Sequence, residues 1–446
     1  MPQLTHSPRY FGTDGIRGPV GEDPMTPDVM LKLGYAIGQI LKASHKPTVL
    51  IGRDTRVSGP LLEAALSAGL MASRIHVLSA GIVPTPAVAY LTKTLHADMG
   101  IVISASHNPY TDNGIKFFSE DGTKISDTVE QAIEAFLQDT PPPQSCTGTT
   151  QGLEDAAGRY IEFCKSAFVG DFPCLTLVVD GANGALSHIA PTLFTELGAR
   201  VIPIHCKPNG LNINDHCGST APQALQQAIL THQADIGLAV DGDGDRLIMV
   251  DHTGTVVDGD ELLFIITKWY QAKGRLNGGV VGTLMSNAGL AQALHKANIP
   301  FIRTQVGDKF VLEALVTQHW QLGGEASGHI ICRDKTPTGD ALIAALRVFS
   351  ALSYFGKTLY DLKQGMHKWP QIIKNIPTKQ AKQVASHPEV QTQVATLQKT
   401  LGNTGRIILR PSGTEPILRV MVEAENLPLA EKIAEQLTQF ILDTLG

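Results

Sequence analysis

One pattern recurs three times along the chain: a short apolar run, a polar loop, a helical stretch and a second apolar run. The first copy is Thr48-Val-Leu-Ile51, then Gly52-Arg-Asp-Thr-Arg-Val-Ser-Gly59, a helical pattern over 61–71 and a strand over 75–78. The second copy has an apolar run at 175–179, then Asp180-Gly-Ala-Asn-Gly184, a helix to 197 and a strand at 201–204. The third has 280–282, Thr283-Leu-Met-Ser-Asn287, a helix to 297 and a strand at 301–303. Strand, loop, helix and strand in succession predict parallel βαβ packing, hence an α/β chain of three similar mixed α/β domains. The repeat reaches further. Ala97-Asp-Met-Gly-Ile-Val-Ile-Ser104 and Ala234-Asp-Ile-Gly-Leu-Ala-Val240 share the frame Ala-Asp-x-Gly-apolar. They lead into Ser104-Ala-Ser-His-Asn-Pro109 and Asp241-Gly-Asp-Gly-Asp245, and Gly323-Gly-Glu-Ala-Ser-Gly-His329 stands at the corresponding place in the third copy. In open α/β sheets ligands bind outside the carboxyl ends of the strands, so three chemically different loops are expected to converge on a central cleft.

The domain organisation follows from what separates the repeats. A proline- and Ser/Thr-rich break begins at Thr140-Pro-Pro-Pro-Gln-Ser145, a turn-rich stretch spans 251–258, and Trp369-Pro370 opens a different region. There the apolar runs 406–409 and 417–422 flank a tight loop, and 427–445 has helical spacing through Leu429, Ile433, Leu437 and Ile441. The reading is four domains, 1–155, 156–255, 256–367 and a smaller C-terminal α+β domain, 368–446. Near the start, Thr26-Pro27-Asp28 predicts an N-cap with proline at the first helical position.

Charge and composition narrow the partners. Lys+Arg is 36 against Asp+Glu 42, a net charge of -6, which argues against a nucleic-acid or anionic-membrane surface. No apolar run reaches the ~20 residues of a membrane span. The start, Met1-Pro-Gln-Leu-Thr-His-Ser-Pro, shows no signal-peptide pattern. Six cysteines without a C-x-x-C pair are expected to be reduced thiols of a cytoplasmic protein. Glycine is 43 of 446 residues, above the usual ~7%, and tight glycine loops often hold phosphates.

Asp241, Asp243 and Asp245 place three carboxylates at alternate positions, with glycines that let the backbone turn them toward one point. Clustered carboxylates repel unless a cation joins them, and hard oxygen ligands suit Mg²⁺ or Ca²⁺. An EF-hand is excluded, because its sixth position would be Arg246 and its twelfth His252. A solvated acidic turn is the alternative, opposed by the apolar runs on both sides. Mg²⁺ keeps places for water or phosphate oxygens, so the loop points to a phosphate partner. Ser106 fits three roles: nucleophile, phosphate acceptor or loop hydrogen-bonder, and no G-x-S-x-G surrounds it. His107 beside it suits a turn as well as catalysis. Lys116, flanked by apolar residues, reads either as a snorkelling surface lysine or as a half-buried base whose pKa burial lowers. Arg410-Pro-Ser-Gly-Thr-Glu-Pro-Ile-Leu-Arg419 combines arginines, hydroxyls and backbone N–H groups, which suits a phosphate clamp or an ordinary hairpin. Glu325 and Ser327 set a carboxylate and a hydroxyl in a glycine-flanked loop, suited to sugar hydroxyls or an ammonium group.

Taken together, Phe11-Gly-Thr-Asp-Gly-Ile-Arg17, Ile103-Ser-Ala-Ser-His-Asn-Pro109, Asp241-Gly-Asp-Gly-Asp-Arg246, Gly323-Gly-Glu-Ala-Ser-Gly-His329 and Arg410-Pro-Ser-Gly-Thr-Glu-Pro416 resemble the motifs of the α-D-phosphohexomutase superfamily, in the same order and over essentially the whole chain. Asn214-Asp-His-Cys-Gly-Ser-Thr220 and the loop around Glu325 resemble the branch that acts on glucosamine phosphates; Ala326 stands where a longer polar residue such as Gln is expected. The resemblance implies a heart-shaped four-domain enzyme that interconverts glucosamine 6-phosphate and glucosamine 1-phosphate, feeding UDP-N-acetylglucosamine and cell-wall synthesis. It implies that Ser106 is carried as phosphoserine and completes a Mg²⁺ site with Asp241, Asp243 and Asp245. It makes Lys116, His329 and Arg17 catalytic neighbours of Ser106. Arg246, Glu325, Ser327, Arg410, Ser412, Gly413, Thr414 and Arg419 become substrate-binding residues. A hexose bisphosphate, of glucosamine or glucose, is the implied intermediate and activator, and a homodimer stays open. Three other readings remain: a mutase of mannose or glucose phosphates, a Mg²⁺-dependent phosphatase, and a non-catalytic sugar-phosphate sensor.

Overall fold

The computed structural model describes residues 10–12, 14–42, 44, 46–139, 148–402, 404–411 and 416–445. They form two compact units, one of residues 1–285 and 299–364, the other of residues 286–298 and 365–446.

The larger unit contains the three repeats as three sheets with one shared plan. In the first, the strands Asp112–Ser119, Met99–Ile103, Thr48–Arg53 and His76–Ile82 lie side by side in that order. In the second the order is Leu247–Asp251, Ile236–Val240, Thr176–Asp180 and Arg200–Ile204, and in the third Ile330–Cys332, Leu322–Gly324, Val280–Thr283 and Phe301–Thr304. In each, three strands run parallel and the last in sequence returns antiparallel. The recurring Ala-Asp-x-Gly frame has a structural cause. Asp98 Oδ2 accepts the Thr48 N–H at 2.8 Å, and Asp235 Oδ2 accepts the Thr176 N–H at 2.8 Å. Each carboxylate thus pins the start of its own strand to the start of the neighbouring parallel strand.

The central strands Met99–Ile103 and Ile236–Val240 are buried along their whole length, so their apolar runs carry no alternation. Pro27–Ile40 is a helix whose first turn is capped by the Thr26 hydroxyl, with proline at the first helical position. Its Leu33 and Ile37 pack with Leu66 and Leu70 of the helix Gly59–Ala72 over Val49 and Ile51 of the sheet. The stretch 251–258 is more ordered than a plain break: Val256–Val257 pairs with the strand Leu247–Asp251, and Asp258 and Glu261 form a capping box for the helix Gly259–Ala272.

The smaller unit is an antiparallel sheet in the order Gln371–Pro377, Ile417–Ala424, Gly405–Pro411. The helix Leu427–Leu445 lays Ile433, Leu437 and Ile441 into its core at the spacing expected from the sequence. The helix Ala288–Lys296, part of the third repeat in sequence, clusters with this unit. Among the described residues no helix is long and apolar enough to cross a membrane.

Candidate active site

Each of the three hairpins between a central strand and its antiparallel neighbour carries one of the unusual loops, and in the larger unit the three loops meet. Ser106 Oγ, from the first, donates to Asp241 Oδ2 of the second at 2.7 Å. Arg246 and His329 form an antiparallel bridge between the second and third, where Leu247 N–H donates to Gly328 O at 3.1 Å. The contact of the first two loops demands glycine. A Cβ on Gly242 would stand 2.6 Å from Ser106 O, and Gly244 takes a φ of +74°.

Ser106 is itself in the left-handed region, with a φ of +53°, and its side chain is buried. For a residue with a Cβ that conformation is strained and persists only when its surroundings over-determine it. They do. Ser104 Oγ donates to Asp54 Oδ2 at 2.6 Å and accepts the Ser106 N–H at 3.0 Å. The buried guanidinium of Arg56 donates to Ser106 O at 2.9 Å, Asn108 O at 2.8 Å, Asp112 O at 3.0 Å and Pro109 O. Its Nε pairs with Asp54 at 2.8 Å. Asn214, from the second domain, donates to Ser106 O at 2.9 Å and Asn108 O at 3.1 Å.

Arg56 and Asp54 were not legible as site residues. The signal that could have found them is two charged side chains, two positions apart, in a turn between a buried strand and a buried helix. Lysine cannot reproduce a planar fork that meets four carbonyls. Arg56→Lys is therefore expected to lower kcat by roughly 10²-fold, the order of cost of about an ångström of misplacement, with little change in KM. Steady-state kinetics together with a thermal melt check this; a lower Tm with unchanged kcat would make Arg56 purely structural.

The acidic loop is almost wholly buried. Asp241 Oδ1 accepts the Arg246 N–H at 3.1 Å, and Asp243 Oδ2 accepts Thr85 Oγ1 at 2.6 Å and Lys116 Nζ at 2.8 Å. Asp245 Oδ2 accepts Lys116 Nζ at 3.0 Å. Asp243 Oδ1 and Asp245 Oδ1 are buried without a hydrogen-bond partner. One oxygen from each of the three residues lies within 4.8 Å of the others. Buried carboxylate oxygens left unsatisfied and facing one another fit a cation. Burial, with Asp245 and Asp243 alongside, pushes the Asp241 carboxyl well up. Burial would raise Asp245 too, but Lys116, His329 and Arg246 hold it well below the carboxylate range.

Lys116 overturns one expectation. Its side chain is 3% exposed, yet its pKa is raised rather than lowered: burial disfavours the ammonium, and Asp14, Asp243 and Asp245 more than reverse that. It is a fixed positive charge at neutral pH, unsuited to the proton transfer expected of a base with a depressed pKa. The sequence showed the apolar neighbours of Lys116 but not the three carboxylates that face it.

From Lys116 a ring of charge runs through residues the sequence did not single out. Lys116 Nζ lies 3.0 Å from Asp14 Oδ2, Asp14 pairs with Lys124, and Lys124 Nζ lies 2.5 Å from Asp308 Oδ2. Asp308 Oδ2 is 3.6 Å from His329 Nε2, and His329 Nδ1 is 3.7 Å from Asp245 Oδ1. The Gly339 N–H points at His329 Nε2 from 3.1 Å, so in the neutral ring the proton sits on Nδ1, toward Asp245. His107 Nδ1 is 3.3 Å from Ser106 Oγ, and burial, with Arg246 and Arg17 nearby, lowers its pKa to about 4, leaving a neutral imidazole beside the hydroxyl. Arg17 reaches Asn108 Oδ1 at 3.3 Å and Asp14 at 3.3 Å. Glu325 is half-buried and its Oε1 accepts the Gly307 N–H at 3.0 Å, while Ser327 is exposed. Arg410 and Arg419 belong to the smaller unit, where they face each other across its sheet. Ser412, Gly413 and Thr414 lie outside the described residues.

Four family models match the chain in order. They are the phosphoglucomutase/phosphomannomutase alpha/beta/alpha domains I, over 8–142, II, over 159–254, and III, over 258–369, and the C-terminal domain, over 373–440. A phosphoglucosamine mutase of Pseudomonas aeruginosa is 53% identical over 439 residues, covering 98% of this chain and 99% of the relative. The chain belongs to the phosphoglucosamine mutases of the phosphohexomutase superfamily. Phosphomutases are isomerases, and this protein is one. A second phosphoglucosamine mutase, of Aeromonas salmonicida, is also 53% identical, over 97% of this chain and 98% of its own length.

Solved structures agree on the fold. A phosphoglucomutase/phosphomannomutase family protein of Burkholderia thailandensis matches with a TM-score of 0.82 at 24% identity, over 97% of both chains. The N-acetylphosphoglucosamine mutase of Aspergillus fumigatus, solved with GlcNAc-6P and magnesium, matches with a TM-score of 0.70 at 18% identity, over 97% of this chain and 95% of that one. In the family's frame, Ser106 and Lys116 fall in domain I, the three aspartates in domain II, Glu325, Ser327 and His329 in domain III, and Arg410 and Arg419 in the C-terminal domain.

Proposed function

We propose that the protein interconverts glucosamine 6-phosphate and glucosamine 1-phosphate through a phosphoserine at Ser106 and a bisphosphorylated sugar. The observation that carries the reading is Ser106 Oγ held 2.7 Å from Asp241 within a buried triad of carboxylates with unsatisfied oxygens. In the forward half-reaction the sugar 1-hydroxyl oxygen attacks the phosphorus and gives up its proton, the bond to Ser106 Oγ breaks, Oγ takes up a proton and a bisphosphate forms. After the bisphosphate turns, Ser106 Oγ attacks its 6-phosphate and takes that group, leaving glucosamine 1-phosphate.

Phosphoryl transfer asks for charge neutralisation and in-line placement more than for covalent help. Lys116 and Arg246 bring fixed positive charge to the phosphoryl oxygens. His107, neutral, lies within reach of Ser106 Oγ. His329, with its proton toward Asp245, keeps that carboxylate ionised. Asp241, Asp243 and Asp245 would hold Mg²⁺, which when bound supplies further charge neutralisation to the transferring group. Support for Mg²⁺ comes from the oxygen-only donor set.

The test is a phosphorus NMR time course with glucosamine 6-phosphate, Mg²⁺ and a trace of hexose bisphosphate. Growth of the 1-phosphate resonance is expected; inorganic phosphate alone would make the protein a phosphatase, and no change a sensor.

Sugar choice rests on Glu325. The 2-ammonium group of glucosamine gains charge assistance from a carboxylate, whereas the hydroxyl of glucose gains a weaker bond. The expected order of kcat/KM is glucosamine phosphate, glucose phosphate, mannose phosphate. Glu325→Gln keeps the shape and removes the charge, so it is expected to narrow the gap between the first two in competition assays. A wild-type preference for mannose phosphate would overturn the amino-sugar reading.

Arg410 and Arg419 are read as holding a phosphate of the substrate. Loss of one charged hydrogen bond costs about 1.5–3 kcal/mol, so Arg419→Ala is expected to raise KM by roughly 10- to 100-fold. An unchanged KM would remove Arg419 from the binding residues.

A further inference from the structure

We infer that the second domain holds a transition-metal site, built from Asp180, His205 and Cys217, that takes Zn²⁺ independently of the acidic loop. The three residues converge because of the sheet. Asp180 and His205 end neighbouring parallel strands, Thr176–Asp180 and Arg200–Ile204, at their carboxyl edge, and the loop after His205 brings Cys217 back over them. One ligand atom from each lies within 4.8 Å of the other two. Tetrahedral Zn²⁺ with bonds of about 2.0–2.3 Å sets its ligand atoms roughly 3.3–3.8 Å apart, so closure asks for a shortening of at most about 1.5 Å between any two.

The buried Asp180 carboxylate has hydrogen bonds but little compensation of its charge. Asp180 and Cys217 are wholly buried. Asp180 Oδ1 accepts the Ala182 N–H and Oδ2 the Gly218 N–H, both at 3.0 Å. Among the described residues its only ion pair is with His205, whose Nδ1 stands 3.0 Å from Oδ2. That nitrogen is buried and makes no hydrogen bond of acceptable geometry. A ring nitrogen 3.0 Å from a carboxylate oxygen but out of line for a hydrogen bond, with a thiol alongside, is an arrangement a shared cation would complete. An oxygen, a nitrogen and a sulfur donor select a borderline-soft ion such as Zn²⁺ over Mg²⁺. Cys206 is not a candidate ligand, because its Sγ points at Ile204 O, 3.2 Å away. Ligation by Cys217 releases the thiol proton to solvent. The loop that carries Cys217 also carries Asn214, which grips the Ser106 carbonyl. Occupancy therefore stiffens the loop behind the phosphate carrier.

Co²⁺ is the probe, added to the metal-free full chain. One equivalent is expected to give a near-ultraviolet thiolate-to-cobalt band, retained in Asp243→Asn and lost in Cys217→Ser. Because Cys217 is buried and its replacement can disturb the fold, His205→Gln, at a half-exposed position, is the second variant, and it is expected to weaken binding at least tenfold. Competition by Zn²⁺ should erase the band. Absence of the band in the wild type, or its survival in folded Cys217→Ser, would overturn the site.

Discussion

Ser106→Ala is expected to lose mutase turnover by four orders of magnitude or more, about the scale seen when a covalent nucleophile is removed. The loss is expected in kcat, since Arg246 and Glu325 do not depend on the hydroxyl. The backbone cost is small. Alanine meets the same left-handed strain as serine, and the loop is gripped through carbonyls that the substitution leaves in place. What disappears is the 2.7 Å hydrogen bond to the Asp241 carboxylate, about 1.5–3 kcal/mol of stability, and the longer contact with His107 Nδ1. Intact-mass analysis after incubation with a hexose bisphosphate should show a phosphorylated wild type and an unmodified variant. Near wild-type turnover in the variant would rule out a phosphoserine.

Lys116→Met is expected to be the most destabilising of these substitutions. Removing one partner from a buried ion cluster costs about 3–5 kcal/mol, because the charges left behind are uncompensated. Here three carboxylates face the Lys116 ammonium, and of them Asp14 also pairs with Lys124. The pH dependence of the metal-free protein separates this cause from a simple packing defect. In the wild type, burial would raise Asp14, but Lys116 and Lys124 hold it well below its usual value, and Asp245 is depressed as well. Groups depressed on folding contribute stability that is present above the unfolded carboxylate pKa of about 4 and lost as pH falls through the folded values. Lys116, raised on folding, contributes below about pH 10 and loses that contribution as pH rises through its folded pKa.

The contribution of Asp14, Asp245 and Lys116 to wild-type stability is therefore expected to be flat between about pH 5 and 9. In the variant Asp14 and Asp245 lose the largest charge that depressed them, and burial pushes them up instead. Its stability should then increase as pH falls from about 7 to 5, a slope opposite to that of ordinary acid unfolding. Urea melts with chelator at several pH values measure this. Parallel slopes in wild type and variant would mean that Lys116 acts by packing alone.

The repeat, the domain classes and the loops that meet at Ser106 were legible because each depends on residues close together in sequence. A run of buried apolar residues, an Ala-Asp-x-Gly frame or three alternating aspartates carries its own signal. The supports of the site were not legible for the opposite reason. Arg56 reaches carbonyls more than fifty positions away, and Asn214 carbonyls more than a hundred away. Lys124 matters only through Asp14 and Asp308, which no local pattern joins to it. The sign of the Lys116 shift failed on the same ground. Neighbours in sequence predict desolvation, whereas the field at Nζ is set by Asp14, Asp243 and Asp245, all distant in the chain. The Val256–Val257 pairing was missed because two residues are too few for any periodicity to register.

The grip of Arg56 and Asn214 on the Ser106 carbonyl bears on where motion can occur during a catalytic cycle. A residue pinned through its own carbonyl, its amide and the carbonyls that follow has no soft torsion left in its main chain, and only the bonds of its short side chain can turn. On the proposed reading of Ser106, the phosphoryl donor is thus an anchored post rather than a swinging arm. Between the two half-reactions the travelling object is then the sugar, which must leave one pose and take up another, turned end for end, without the post following it. A ligand let go too early would diffuse away and strand the serine without its phosphate, so the same rigidity that aligns the chemistry leaves the retention of a loosened intermediate to the surrounding side chains.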